Sequence, residues 1–437
     1  TTLANPDGRY PSRWQLGLNS LGKTLADLDR PAEAQAAYAR ALALKPDFPD
    51  AHNNLGNTLK KWGQLDAAAQ CYQRALALKP DFAEAHNNLG CVFRELGRPE
   101  EAAQCYQRAL ALCPNYSTTR VNYAALLWQL GCFEEAEAAW RQALAQDPDH
   151  PDALLGYGKL LQSQGALPAA LEVFRRTLTV RLRQPSRLLS APPRSSFATA
   201  ENTALLWQTL AQLAGAGIHA FATSGTLLGL VREGGLLAHD KDLDLALPYG
   251  ELAQAHDCLV ARGWTPDRMN RFFLTPHAYQ HDGLGVSLDL FGVIIEPGST
   301  AMVSGIWLKG LPWEWQRVSE VPGPIRLRQI YQDAGLVWTL AQPEVLLEAI
   351  YGPEWRIPDP DFDAVIAARN LRKFSLLTQC YAFSRIYSRW QQGQLHKALT
   401  TTRHTRRHLP EDTLLQQVED HLRSALGATA APVESAP

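Results

Sequence analysis

The sequence predicts two architectures in series: an all-α superhelix of repeats, then a mixed α/β domain, with further helices toward the carboxy terminus. Three observations carry this. The segment AHNNLGNTLKKWGQLDAAAQCYQRALALKPDFAE (51–84) recurs as AHNNLGCVFRELGRPEEAAQCYQRALALCPNYST (85–118). After a stretch rich in proline and serine (183–196), the pattern shifts to short apolar runs broken by turns. Residues 222–247, ATSGTLLGLVREGGLLAHDKDLDLAL, then join a Ser-Gly turn to Asp240, Asp242 and Asp244 at alternating positions.

The repeat comes first in the chain. Looser copies lie at 17–50, 119–152 and 153–186. Small residues recur at Gly22, Gly56, Gly90, Ala124 and Gly158, and alanines at Ala34, Ala68, Ala102, Ala136 and Ala170. Aromatics recur at Tyr38, Tyr72, Tyr106, Trp140 and Phe174, and prolines at Pro46, Pro80, Pro114 and Pro148. The array resembles the tetratricopeptide repeat (TPR) family, whose unit is a helical hairpin of about 34 residues. The physics agrees: small residues let two helices approach, aromatics fill the gaps, and proline ends the second helix. One hairpin cannot hide its apolar face alone, so copies stack into a superhelix with a concave face. The expected extent is 15–184.

Asn54, Asn88 and Asn122 repeat at one position of the first helix of their units. They resemble the asparagine ladder of TPR arrays of the O-GlcNAc transferase type, which grips the backbone of an extended polypeptide. An amide carries both donor and acceptor, so it can hold a peptide without reading its sequence. The other reading is three solvated residues on a helix face. The ladder is short, with Ser20 and Gly156 at the flanking positions.

Residues 185–198 read as a linker and 199–365 as the second domain. ATAENTALLWQTLAQLAGAG suggests a helix, IHAFATSG a short strand ending in a turn, and TLLGLVR a helix whose amino terminus faces that turn. Backbone N–H groups there favour an anion such as phosphate. DLDLAL (242–247) reads as a strand, ELAQAHDCLVARGW (251–264) as a helix, and GVSLDLFGVII (285–295) as another strand. Alternation places neighbouring aspartates on one strand face. Carboxylates side by side repel unless a cation lies between them, and hard oxygen ligands suit Mg²⁺ or Mn²⁺. Asp289, bracketed by Leu288 and Leu290, is a charge on a core strand and the expected third carboxylate. The simplest chemistry for such a set is metal-dependent phosphoryl or nucleotidyl transfer.

The stretch from about 200 to 360 resembles the LicD/fukutin family, which has the nucleotidyltransferase fold. Four ordered elements carry the resemblance. They are Ser224 to Gly229 with Arg232, then Asp240-Lys-Asp-Leu-Asp244, Leu288-Asp289-Leu290-Phe291, and Tyr351-Gly-Pro-Glu-Trp355-Arg-Ile-Pro358. Lys241 departs from the family pattern by replacing an aspartate, and His239 stands where an aromatic residue is frequent. The resemblance implies that Asp242, Asp244 and Asp289 hold one or two divalent ions, and that Asp289 takes the proton of an attacking hydroxyl. It implies that Ser224 and the Gly225 N–H, with Thr226, contact phosphate, while Lys241, the departure, either neutralises a carboxylate or contacts phosphate. Arg232 is either a phosphate ligand or half of a surface salt bridge, and Asp240 either joins the cluster or caps the turn. Family members move a phospho-group, such as phosphocholine or an alditol phosphate, from a CDP-linked donor to a sugar hydroxyl. The acceptor so implied is a glycan or a glycosylated protein, with a protein or peptide partner in the TPR groove. Trp307, Trp313 and Trp315 offer faces for a sugar or base, or simply core packing.

Residues 366–425 read as helices. WQQGQLHKALTTTRHTRRHLPED (390–412) can be laid on 60–82, matching Gly393, Leu395, Ala398 and Pro410 to Gly63, Leu65, Ala68 and Pro80. That suggests a sixth, degenerate hairpin, with looser packing where Thr402 and Thr405 replace the aromatic and the second alanine. Arg403, His404, Arg406, Arg407 and His408 form a basic cluster there, either a solvated face or a contact for an anionic glycan or nucleotide. Residues 426–437 are expected to be a disordered tail.

Composition bounds the function classes. The chain of 437 residues is 46% hydrophobic and 20% charged, ordinary for a globular protein. A formal net charge of −2 gives no hint of a nucleic-acid partner. No apolar run is long enough to span a bilayer, residues 1–15 do not resemble a signal peptide, and the scattered cysteines lack a CxxC pair. A cytoplasmic setting is expected. Three rivals to phospho-group transfer stay open: NMP transfer from an NTP, a scaffold with a vestigial second domain, and a glycosyltransferase.

Overall fold

A computed structural model of the chain describes residues 14–184, 196–295, 300–321, 323, 325–359 and 361–429. Most of the expected linker at 185–198 lies outside the described residues, as do the last eight residues of the expected tail. The chain divides into two compact units, 1–153 and 154–437, so the division falls ahead of that linker.

The first unit is four helical hairpins: α1 (Trp14–Asp27) with α2 (Pro31–Leu44), α3 (Pro49–Lys61) with α4 (Leu65–Leu78), α5 (Ala83–Glu95) with α6 (Pro99–Leu112), and α7 (Ser117–Gln129) with α8 (Phe133–Gln146). The repeated glycines explain why the hairpins close. A Cβ on Gly22, Gly56 or Gly90 would lie 2.7, 2.6 or 2.7 Å from the ring of Tyr38, Tyr72 or Tyr106. Ala34, Ala68, Ala102 and Ala136 are fully buried beside them. Each second helix stops two residues before its proline, as steric restriction of the preceding residue requires.

The second unit begins with α9 (Pro151–Ser163) and α10 (Leu167–Leu182), in which Gly158 meets Phe174 in the same way. A sheet-containing domain follows. It comprises α11 (Ala200–Gly215), β1 (Phe221–Ala222), α12 (Ser224–Arg232), β2 (Asp242–Pro248), α13 (Leu252–Val260), β3 (Trp264–Pro266), β4 (Phe273–Thr275), β5 (His277–His281) and β6 (Ser287–Ile295). It continues with β7 (Met302–Leu308), β8 (Arg317–Val321), a β9 (Leu327–Gln332) to β10 (Gly335–Leu340) hairpin, α14 (Pro343–Tyr351) and the short α15 (Ala364–Ala367). The main sheet runs β1-β2-β6-β5-β3, with β7 continuing from β6 and pairing both β4 and β8. Only β2 and β6 are parallel among its described pairs.

Leu243, Leu245, Leu247, Leu288 and Leu290 are fully buried on the core face of β2 and β6, with Leu206 and Leu213 of α11 in the same cluster. Each such side chain contributes about 1.5–3 kcal/mol by burial. Because the side-chain period of a strand is two, fixing the leucines inward puts Asp242, Asp244 and Asp289 on the opposite face.

The chain ends in α16 (Leu376–Gln391), α17 (Leu395–His408) and α18 (Thr413–Thr429). Residues 426–429, expected as disordered, therefore complete a helix. Phe174 and Leu178 of α10 share one core with Phe383, Ile386, Trp390, Ala398 and Val418. Arg175 also pairs with Asp412 across this contact. So α16–α17 packs on α10, and the sheet domain is enclosed between helices that are neighbours in space. The expected looseness of α17 is not found: Thr402 and Thr405 are fully buried, their hydroxyls donating to Ala398 O and Thr401 O. In the alignment, Thr402 replaces Tyr72 while Ile386, also fully buried, replaces Gly56. The bulk has moved from the second helix to the first, which conserves volume.

Candidate active site

The site is built on β2 and β6. Their parallel register sets Asp244 opposite Asp289 and Asp242 opposite Ser287. Adjacent strands lie about 4.8 Å apart, so Asp244 and Asp289 are immediate neighbours, with Asp242 one step along the same face. Among the described residues, no group of three or more histidine, cysteine, aspartate or glutamate side chains forms a metal cage. The pair still suits Mg²⁺, which is usually held by one or two carboxylates and completes its shell with water and substrate phosphate. What the strands provide is thus a two-carboxylate platform, with Asp242 beside it.

Electrostatics fits that description. Burial, reinforced by Asp242, Asp289 and Asp240, raises the Asp244 carboxyl well above its usual range. Burial and Asp242 push Asp289 up to about 7. Burial and Asp242 likewise push Asp240 up to about 6, against the opposing charge of Lys241. Asp242 is raised by burial, opposed by Lys241 and Arg385. Burial and mutual repulsion together keep these four carboxyls from ionising at once.

The start of α12 is locked onto Asp244. Ser224, at φ 45°, opens the helix. The Gly225 N–H donates to Asp244 Oδ2 at 3.2 Å, and Thr223 N–H to Asp244 O at 3.0 Å. The Asp244 N–H donates to Thr226 Oγ1 at 2.8 Å. A Cβ on Gly225 would come within 2.7 Å of Asp240 Oδ2, so only glycine lets that carboxylate approach. Asp240 itself sits in the turn before β2, where Oδ1 accepts from Lys241 N–H and Oδ2 is buried without a partner.

These contacts revise two expected phosphate ligands. Thr226 is fully buried and its hydroxyl serves the β2 backbone, because the helix must dock where Asp244 needs an acceptor. The Gly225 N–H is taken up by Asp244. Ser224 stays partly exposed at the helix start, Lys241 is exposed beside the cluster, and Arg232 lies at the far end of α12, paired with Glu233.

The tryptophans do not form one platform. Trp307 is buried against Tyr249 and Trp313, so it is core. Trp315 is half-buried beside the α10–α16–α17 core, and Trp313 is exposed. In the first unit, the asparagine amides are engaged between repeats. Asn54 Nδ2 donates to Asn19, Asn88 Nδ2 to Asn53 and Asn57, and Asn122 Nδ2 to Asn87. Asn88 Oδ1 also accepts from Asn87 Nδ2 at 3.2 Å, so these amides knit neighbouring repeats together.

Sequence reasoning missed the helices behind the carboxylates. Asp363, before α15, is buried and holds Arg385 at 2.5 Å and Arg389 at 2.6 Å. Burial alone would raise its carboxyl, but the two guanidinia hold it below the usual range. Burial pushes Arg317 down to about 10 nearby, where it donates to Val365 O and Ala364 O. The Arg385 charge lowers the Asp242 carboxyl against burial, and the Asp289 charge adds to burial in raising the Tyr381 hydroxyl. The cue was one charged stretch of α16, SRIYSR, which reads as an ordinary amphipathic face.

A helical-repeat scaffold followed by a sheet domain with a carboxylate pair at a helix start defines a repeat-tethered α/β domain of transferase type. Tetratricopeptide repeat profiles match residues 22–63, 61–97, 83–116 and 124–185, and the LicD/FKTN/FKRP nucleotidyltransferase domain profile matches residues 217–290. The chain therefore carries TPR repeats followed by a LicD/FKTN/FKRP domain, and the pairing supports a transferase with a protein-interaction region. No curated protein matches the chain. Solved structures similar to it include TTC0263, a thermophilic TPR protein of Thermus thermophilus, at 25% identity, covering 39% of this chain and 93% of that one with a TM-score of 0.35. YrrB, a TPR protein with an unusual peptide-binding site, matches at 23% identity, covering 39% and 88% with a TM-score of 0.32. Among the described residues, no helix is long and apolar enough to cross a membrane.

Proposed function

We propose that the chain is a metal-dependent phosphotransferase of LicD/fukutin type. It moves a phospho-substituent, phosphocholine or an alditol phosphate, from a CDP-linked donor to a sugar hydroxyl on a glycan or glycosylated protein. The observation that carries this reading is the in-register placement of Asp244 beside Asp289, with Asp242 on the same strand face. Asp242, Asp244 and Asp289 would hold Mg²⁺ or Mn²⁺, which when bound neutralises phosphate charge. Asp289 would also take the proton of the attacking hydroxyl, the role that the family resemblance gives it. In the transfer, the acceptor oxygen bonds to phosphorus, its proton passes to Asp289, and the bond from phosphorus to the CMP oxygen breaks with its electron pair. Ser224 and Lys241 stand at the carboxylate end of α12, where they can steady donor phosphates, and the TPR array recruits a protein partner.

The test is calorimetric titration of CDP-choline, CDP-glycerol, CDP-ribitol and CTP with Mg²⁺ or Mn²⁺ into wild type and Asp242→Ala/Asp244→Ala, followed by product analysis. Metal-dependent binding of one CDP conjugate, lost in the variant, with CMP released, supports the reading. Pyrophosphate release from an NTP would replace it with nucleotidyl transfer. Absence of binding by folded wild type would favour a scaffold.

A further inference from the structure

A cavity of about 710 Å³ lies where the end of α12, the segment after α14 and one face of α17 meet. Its lining includes Arg232, Arg369, Arg407, His404 and His408, so groups from three separate stretches of chain converge on it. The aromatic residues Tyr351, Trp355 and Phe362 also border it, with the Tyr351 and Phe362 rings 4.8 Å apart.

The cations are poorly compensated. Glu233, Glu354 and Asp359 also line the space, yet among the described residues neither the Arg369 nor the Arg407 side chain makes an ion pair or hydrogen bond. Arg232 has Glu233 on one nitrogen, while its Nε is buried without a partner. By contrast Arg403 and Arg406, on the same helix, are both neutralised by buried Glu419. The basic cluster of α17 thus divides: one face is structural, and the other is left open toward a cavity. Guanidinia left unpaired around a partly apolar hollow are suited to planar, bidentate recognition of phosphate.

We infer that this cavity is a subsite for a phosphate ester carried on a ring, a sugar phosphate or a nucleoside monophosphate, held by Arg369, Arg407 and Arg232 over the aromatic residues. It is distinct from the carboxylate pair. Arg232 is eight residues along α12 from Ser224, about 12 Å at the rise of an α-helix. Arg232 of α12 lines the cavity while Ser224 opens the same helix beside Asp244, so α12 runs from one region to the other. A substrate spanning both would present one phosphate to Asp244 and Asp289 and a second anionic group to α17.

The experiment is titration of CMP and of glucose 1-phosphate into the full chain in EDTA, so that failure here is separable from failure of the metal-dependent transfer reading. Wild type is expected to bind at least one probe saturably. Arg369→Ala/Arg407→Ala is expected to weaken it at least tenfold, Arg369→Ala/Arg407→Lys to restore part of the loss, and Arg328→Ala, on an exposed position of β9, to leave it unchanged. Arg369 and Arg407 are exposed, and circular dichroism confirms folding. Tighter CMP assigns the subsite to the donor nucleotide, and tighter glucose 1-phosphate assigns it to a phosphorylated acceptor. Absence of saturable binding by folded wild type, or equal affinity in the double variant, or an equal loss in Arg328→Ala, would overturn the inference.

Discussion

Asp244 of β2 and Asp289 of β6 face each other directly across a parallel strand pair, each bracketed by fully buried leucines. That arrangement fixes two carboxylates where neither can move away. Removing one charge relieves the other. Asp244→Asn is expected to raise the melting temperature of the chain in EDTA by several degrees, since about 1 kcal/mol shifts a domain of this size by about 2–4 °C. Mn²⁺ is expected to stabilise wild type and not this variant. Thermal melts with and without Mn²⁺ measure both, and an unchanged EDTA melt would contradict the repulsion.

The same pair sets a pH dependence. Asp289 titrates near 7 folded and near 3.9 unfolded, so between these values the folded state holds more protons. Stability from this group is therefore lost as pH rises through that window. Depressed histidines such as His404 and His408 act in the opposite direction. The difference between wild type and Asp289→Asn isolates the carboxyl. In EDTA, wild type should lose stability relative to the variant from about pH 4 to about pH 7 and level off above, and saturating Mn²⁺ should flatten the difference.

Asp363 holds two arginines of α16 and is nearly inaccessible. Asp363→Ala leaves those cations uncompensated and is expected to cost about 3–5 kcal/mol, the range for breaking a buried pair. Urea denaturation measures it, and a loss below about 1 kcal/mol would show that solvent reaches the arginines.

In the repeat array, Gly56→Ala would drive a methyl group into the Tyr72 ring at 2.6 Å. The expected cost is about 1–3 kcal/mol from overpacking. Gly56→Ile/Tyr72→Thr should cost less than the sum of its two single changes, because the same exchange of bulk stands at Ile386 and Thr402. A double-mutant cycle in urea tests this.

Thr226→Val removes the acceptor of the Asp244 N–H while keeping shape. The expected loss is about 1–3 kcal/mol for the unsatisfied donor, with weaker Mn²⁺ binding as α12 loosens from β2. Calorimetry that finds Mn²⁺ affinity unchanged would restrict Thr226 to stability.

Local pattern in the sequence was enough to determine the helical hairpins, the alternating strand around Asp242 and Asp244, and the apolar strand around Asp289. Periods of 3.6 and 2, and a repeated Gly–aromatic spacing, are properties of neighbouring residues, so they are legible without a fold. Which groups meet was decided only by tertiary structure. The register of β2 on β6 chose Asp289 as partner of Asp244, and the docking of α12 turned Thr226 inward. The packing of α16 brought Arg385 and Arg389 onto Asp363, and the face of α17 left over after Glu419 took Arg403 and Arg406 put Arg407 at a cavity. Those outcomes depend on contacts between distant segments, whose energies no window of sequence contains.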